Sequence, residues 1–214
     1  MGNNKAIANS LIVIAQESTV TQSQLPTLDP LTEDHSSDER ENLIQSDIDI
    51  TVRKIESRQR QIEAKIQLPY SADQVWQVLT DYEALPEFIP NLERSQRLDH
   101  PDGGIRIEQV GAQSALMVKF SARVVLDMEE NFPEVLNFDM VEGDFKAFGG
   151  EWRLAPSSSD QASTELTYSV KVWPKRTMPI LAVEKRLAKD LPTNLQAIRQ
   201  RLDDLYGAEA SQVA

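Results

Sequence analysis

The sequence predicts an α+β fold: a curved antiparallel sheet of about seven strands wrapped around a long C-terminal helix, with two short helices after the first strand. Two patterns lead there. Between residues 47 and 172, apolar residues alternate with polar ones in segment after segment, the period of a sheet with one buried face. From Leu187 to Leu205 they recur in steps of four and three, the stripe of an amphipathic helix. A sheet with one apolar face and a helix with one apolar stripe bury those surfaces against each other.

Each element has its own signal. Ile48, Ile50 and Val52 alternate with Asp47, Asp49 and Thr51, and Ile62, Ala64, Ile66 and Leu68 resume the pattern, which reads as a hairpin. Ser71 with Gln74 three residues on forms a capping box before Val75, Trp76, Val78 and Leu79. A second short helix opens at Pro86 and stops at Pro90. Strands over 92–99 and 104–112 flank the turn Pro101-Asp102-Gly103-Gly104. The clearest alternation covers 116–130, with Val118, Phe120, Ala122, Val124, Leu126 and Met128 on one face. Strands follow over 135–142 and 147–155, and the last carries Leu166, Tyr168, Val170 and Val172 on one face. The long helix is expected from about 177 to 206, ended by Gly207 and kinked or split by Pro192. Repeats are absent.

Ahead of these elements, residues 16–46 are polar, with sparse unpatterned hydrophobics and Pro26 and Pro30. Such a segment buries too little surface to offset its ordering entropy, so 1–46 is expected to be an acidic, mostly disordered tail. Residues 5–15 suit a short helix. A signal peptide is the minor reading there, since Asn9 and Ser10 interrupt the apolar run and Lys5 is its one basic residue. The domain is expected over 47–207, with 208–214 as a C-terminal tail.

Composition narrows the function. The chain has 214 residues, no cysteine and a net charge of −12. Thiolate catalysis, disulfides and cysteine-ligated metal sites are excluded. Residues 1–57 carry four Lys/Arg against ten Asp/Glu, and the remainder eighteen against twenty-four. Nucleic-acid binding draws on a basic surface, so nucleic acid is not expected as a partner. No apolar run reaches the roughly 18 residues that span a bilayer. A soluble, cytoplasmic protein is expected, with contact at the periphery of a membrane as an option.

Several segments carry a resemblance. Leu68-Pro69-Tyr70-Ser71-Ala72-Asp73-Gln74-Val75-Trp76, Leu79-Thr80-Asp81-Tyr82-Glu83 and Phe88-Ile89-Pro90 are followed by Val141-Glu142-Gly143-Asp144-Phe145, Gly150-Glu151-Trp152 and Asp190-Leu191…Asn194-Leu195. Over about 47–206 the chain resembles the START-like helix-grip superfamily (SRPBCC). Within it the likeness is to the polyketide cyclase/dehydrase and coenzyme-Q-binding group, most closely its cyanobacterial and chloroplast members. The resemblance implies a helix-grip fold and a deep apolar cavity between sheet and long helix. It implies apolar ligands such as lipids, isoprenoid quinones or polyketides, bound and in some members carried. It brings no fixed catalytic constellation.

The expected cavity wall comprises Phe120, Ala122, Met128, Phe138, Met140, Trp152 and Tyr168 on the sheet, with Leu187 and Leu191 on the helix. Each one alone also reads as ordinary core. Tyr168 and Gln109 are the polar side chains placed to orient a carbonyl, unless both are bonded to protein. His35 falls in the tail, and His100 reads as a solvated turn residue. Asp127 and Asp139 point away from the apolar face, Asp81 reads as a cap or turn residue, and Glu142 and Asp144 flank a turn at Gly143. No phosphate loop, nucleophile elbow or His-x-x-x-His helix occurs. No catalytic residue, metal or cofactor is therefore expected. Lys175, Arg176, Lys185, Arg186 and Lys189 form either a solvated face or a membrane-facing cluster. The expected function is binding of an apolar small molecule. A cyclase-like enzyme and a regulatory protein-interaction module are the alternatives. Oligomeric state is left open.

Overall fold

The computed structural model describes residues 47–115, 118–157 and 162–210, and the side chains of 113–120 and 208–210 are outside that description. Eight strands follow one another as β1 (Ile48–Glu56), β2 (Gln59–Leu68), β3 (Leu92–Leu98), β4 (Ile105–Ala115), β5 (Val118–Asn131), β6 (Val135–Gly143), β7 (Ala147–Pro156) and β8 (Thr164–Trp173). The helices are α1 (Ala72–Thr80), α2 (Leu85–Phe88) and α3 (Ile180–Ala210). The strands form one antiparallel sheet in the order β1-β2-β8-β7-β6-β5-β4-β3.

The architecture is the expected one, with three corrections. The sheet has eight strands where about seven were expected, although each corresponds to an alternating segment of the sequence. The two short helices follow the second strand and not the first, because Ser57 and Arg58 close β1 and β2 into a hairpin before the chain reaches Ser71. The long helix begins at Ile180, after Pro179, and runs past Gly207 to Ala210. It stays one element through the buried Pro192, where Thr193 Oγ1 donates to Lys189 O at 2.9 Å in the turn where the proline lacks a donor. The tail over 1–46 and residues 211–214 lie outside the described residues.

The closed part of the core sits between α3 and the strands β2 and β8. Leu191, Leu195, Ile198 and Leu202 are buried, as are Ile62, Ala64, Ile66, Leu68, Leu166 and Val170. Full burial of each such Leu or Ile contributes about 1.5–3 kcal/mol. Polar contacts fix both ends of the helix. Tyr70 Oη donates to Asp203 at 2.5 Å at one end, and Arg60 pairs with Glu184 at the other. The Ser71–Gln74 capping box starts α1, which buries Val75, Trp76, Val78 and Leu79.

Val141 bulges out of β6, since Leu126 faces Met140 while Val125 faces Glu142. At Gly143 an added Cβ would lie 2.7 Å from Arg123 O. The Asp144 carboxylate accepts from Arg123 N at 2.7 Å. The segment Val141–Asp144 is thus a strand bulge and turn, as expected for Glu142 and Asp144.

Candidate functional site on the concave face

Register brings the expected wall residues onto one face of the sheet. Trp152 lies opposite Leu136 and Tyr168, Phe138 opposite Gly150 and Met128, and Met128 opposite Ile105. Glycine is required at position 150: a Cβ there would meet Ser169 O at 2.0 Å and the Phe138 ring at 2.8 Å. The bare backbone lets the Phe138 ring lie across β7 and reach its neighbours.

A continuous aromatic run results. Trp152 stacks on Tyr168 with centroids 3.6 Å apart and planes 5° from parallel. Phe138 sits 6.1 Å from Tyr168 and 5.8 Å from Phe148, which stacks on Phe145 at 5.4 Å. Met128 and Met140 border this run on β5 and β6.

Coverage of the face is uneven. Beneath the C-terminal half of α3 the inward side chains are buried. Met128, Met140, Phe145, Phe148, Trp152 and Tyr168 are only partly buried, as are Val183 and Leu187 in the N-terminal half of the helix. Large apolar groups on this face are thus partly accessible near the start of α3 and closed off further along it.

The remaining expected residues fall as follows. Ala122 is partly buried opposite Gly111, and Phe120 is opposite Gln113, with its side chain outside the described residues. Leu191 is in the closed core. Gln109 donates to Ser95 Oγ at 3.3 Å, so it is engaged with protein. The Tyr168 hydroxyl has no hydrogen-bond partner among the described residues. Burial, and then the charge of Asp190, push its pKa well above the usual tyrosine value.

Asp190 on α3, missed as a site residue, lies near enough to this hydroxyl for its charge to act on it, and Arg186, also missed, holds Asp190. Arg186 Nε donates to Asp190 at 2.5 Å. Their four-residue spacing, next to Leu187 and Leu191, was the available signal. Arg60 was also missed. It occupies the inward row of β2, where alternation leads one to expect an apolar side chain.

The convex face is charged and internally paired. Glu108 accepts from Arg94 at 2.6 Å and Arg123 at 2.5 Å, and Arg123 also binds Glu142 at 2.6 Å. The hydrogen bond from Arg123 is the main reason the Glu108 pKa falls below the usual range. That from Arg106 does the same for Asp127. His100 is packed rather than solvated: its Nε2 lies 3.4 Å from Asp127, and its Nδ1 accepts from Asp102 N at 3.0 Å. Asp139 is exposed on this side, and Asp81 caps α1. A small polar groove of about 180 Å³ lies elsewhere, lined by Gln77, Asp81, Phe88, Arg201 and Tyr206. Among the described residues, no His or acidic cluster is arranged to hold a metal, and no helix is long and apolar enough to cross a membrane.

A concave apolar face gripped by a C-terminal helix agrees with the match of residues 68–199 to the family described as polyketide cyclase / dehydrase and lipid transport. The chain belongs to this family. Similar proteins include the persistence and stress-resistance toxin PasT of Escherichia coli O6:H1 and the ribosome association toxin RatA of Escherichia coli K12. Each is 26% identical over 149 residues, covering 69% of this chain and 90% of the relative. Among solved structures, a STAR-related lipid transfer protein from Xanthomonas axonopodis superposes with a TM-score of 0.58 at 19% identity. That match covers 73% of this chain and 93% of the other, and at such identity it speaks for the fold alone. The fold is therefore START-like, as the resemblance implied.

Proposed function

We propose that the concave face binds an apolar small molecule beneath the N-terminal half of α3. The observation that carries this is the contrast along one face: side chains are closed off beneath Leu191–Leu202 and left partly accessible at Phe148, Trp152 and Tyr168. Two methionines in the border suit ligands of varied shape. Ala122, Leu187 and Phe120 complete the wall in this reading. The unpartnered Tyr168 hydroxyl takes the polar end of the ligand, a quinone, polyketide or lipid carbonyl being the fitting chemistry. Leu191 supports the wall from the core side.

Native mass spectrometry of freshly purified protein, with extraction of what co-purifies, tests the reading. An apolar molecule at one per chain is expected. Trp152 fluorescence should respond to long-chain quinones or fatty acids, and Trp152→Phe assigns the signal against Trp76 and Trp173. A protein that carries nothing and answers no apolar probe would overturn the proposal.

A second reading, a protein-interaction module acting on ribosomes, is favoured by the name of one relative, the ribosome association toxin RatA. Co-sedimentation with purified ribosomes distinguishes it: the ligand reading expects the chain to remain in the supernatant.

A further inference from the structure

Three segments meet at the end of the sheet where α3 begins. Arg58, in the β1–β2 turn, donates to Lys175 O at 3.0 Å and Met178 O at 2.7 Å. Lys175 Nζ donates to Gly143 O at 3.0 Å, in the turn between β6 and β7. Lys146 in the same turn donates its backbone N–H to Trp173 O at 2.9 Å and lays its ammonium 3.2 Å from the centre of the Trp173 ring. The β1–β2 turn, the β6–β7 turn and the segment leading into α3 therefore form one surface.

That surface is unusual for this chain. It exposes three large apolar side chains, Leu181 at 70%, Val141 at 50% and Ile55 at 47%. Around them stand the exposed cations Lys54, Lys146, Lys175, Arg176 and Lys185, none ion-paired to a carboxylate among the described residues. The nearby acids are mostly engaged: Glu184 by Arg60, Glu142 by Arg123, and Asp144 by the Arg123 backbone. Glu56 is the exposed exception. A net charge of −12 makes a cationic end carrying bare apolar groups a local feature and not an average one.

We propose that this end of the molecule docks on an anionic lipid surface, with Leu181 entering the headgroup layer and Lys175, Arg176 and Lys185 meeting lipid phosphates. Cations attract the protein to the negative surface, and apolar side chains hold it there once the two are in contact. A nucleic-acid phosphate surface would use the cations but leave Leu181, Val141 and Ile55 in water. Docking here sets Val183 and Leu187, two and six residues along α3 from Leu181, near the lipid. The proposal extends the ligand-binding reading without depending on it.

Vesicle co-sedimentation with the full chain tests it. Vesicles of phosphatidylcholine with about a third phosphatidylglycerol should bind the protein, and pure phosphatidylcholine vesicles should not. Raising the salt to about 0.5 M should release it. The triple variant Lys175→Glu, Arg176→Glu, Lys185→Glu should lose on the order of a hundredfold in affinity. Leu181→Ser should weaken binding several-fold, with unchanged circular dichroism, while Lys65→Gln on the convex face leaves it intact. If the wild-type protein ignores anionic vesicles, or binds them as well with Leu181→Ser and the triple change, the proposal is overturned. Equal binding to a ribosomal RNA fragment that depends on the cations but not on Leu181 would overturn it in favour of a nucleic-acid face. Apolar-probe titration of the same variants separates the two readings: retained probe binding with lost vesicle binding removes only the docking proposal.

Discussion

Ala122 is the position at which a single side chain distinguishes a hollow from a core. It is partly buried on the concave face, and its cross-strand neighbour Gly111 adds no bulk. Ala122→Trp should fill the space, abolish probe binding and shift the melting temperature by only a few degrees, because a hollow accepts added volume. In a packed face the same change causes unfolding, and that outcome together with no probe binding by the wild-type protein would remove the ligand reading. The inward placement of Ala122, Met128, Phe138, Trp152 and Tyr168 was legible because strand parity alone decides it. The contribution of Gly150 was not. Its role depends on Ser169 and the Phe138 ring coming within 3 Å of the missing Cβ, a fact of strand neighbourhood that local pattern does not hold. Arg60 was hidden for a related reason, since its partner Glu184 lies 124 positions away.

At the scale of elements, the helix and the convex sheet surface depend on different physics. Leu195 is fully buried between α3 and the sheet. Leu195→Asp should destabilise by several kcal/mol, enough to unfold a typical domain, and native circular dichroism with an unchanged melting curve would show that α3 does not close on the sheet as described. The convex surface responds to pH instead. Glu108 titrates below its ordinary value of 4.5 in the folded chain because Arg123 and Arg94 bind its charged form. A depressed folded pKa contributes stability above the unfolded value, and that stability is lost as pH falls through the folded one. The melting temperature should therefore decline on acidification below about pH 5. Glu108→Gln should melt lower at neutral pH and decline less steeply in acid. Parallel curves for the two proteins would show that the arginines do not perturb this carboxylate. The stripe of α3 was legible in its four-and-three spacing. The ends of the helix were not, because Gly207 is an acceptable helix residue when the chain continues in register, and Pro179 is a stronger start than Thr177.

For the whole molecule, the described core closes without the N-terminal region. Residue 48 marks the start of β1, and only Ile48 of that strand is buried, so the sheet depends little on what precedes it. The helix is anchored at both ends by Arg60–Glu184 and Tyr70–Asp203, all within the domain. Residues 16–46 are rich in Gln, Ser, Thr, Asp and Glu, a composition with little apolar surface to contribute to a core. A shortened chain of residues 46–214 should therefore melt cooperatively, within a few degrees of the full protein, and keep its apolar-probe affinity. Asp47, paired with Arg199 at 3.6 Å on an exposed surface, remains in that chain and limits the change further. A drop of ten degrees or more, on the order of 3–5 kcal/mol for a domain of this size, would mean that the first 45 residues pack on the domain. The apolar stretch Leu11–Ile14 would then be the segment to mutate next, since no other part of the tail has comparable hydrophobic density.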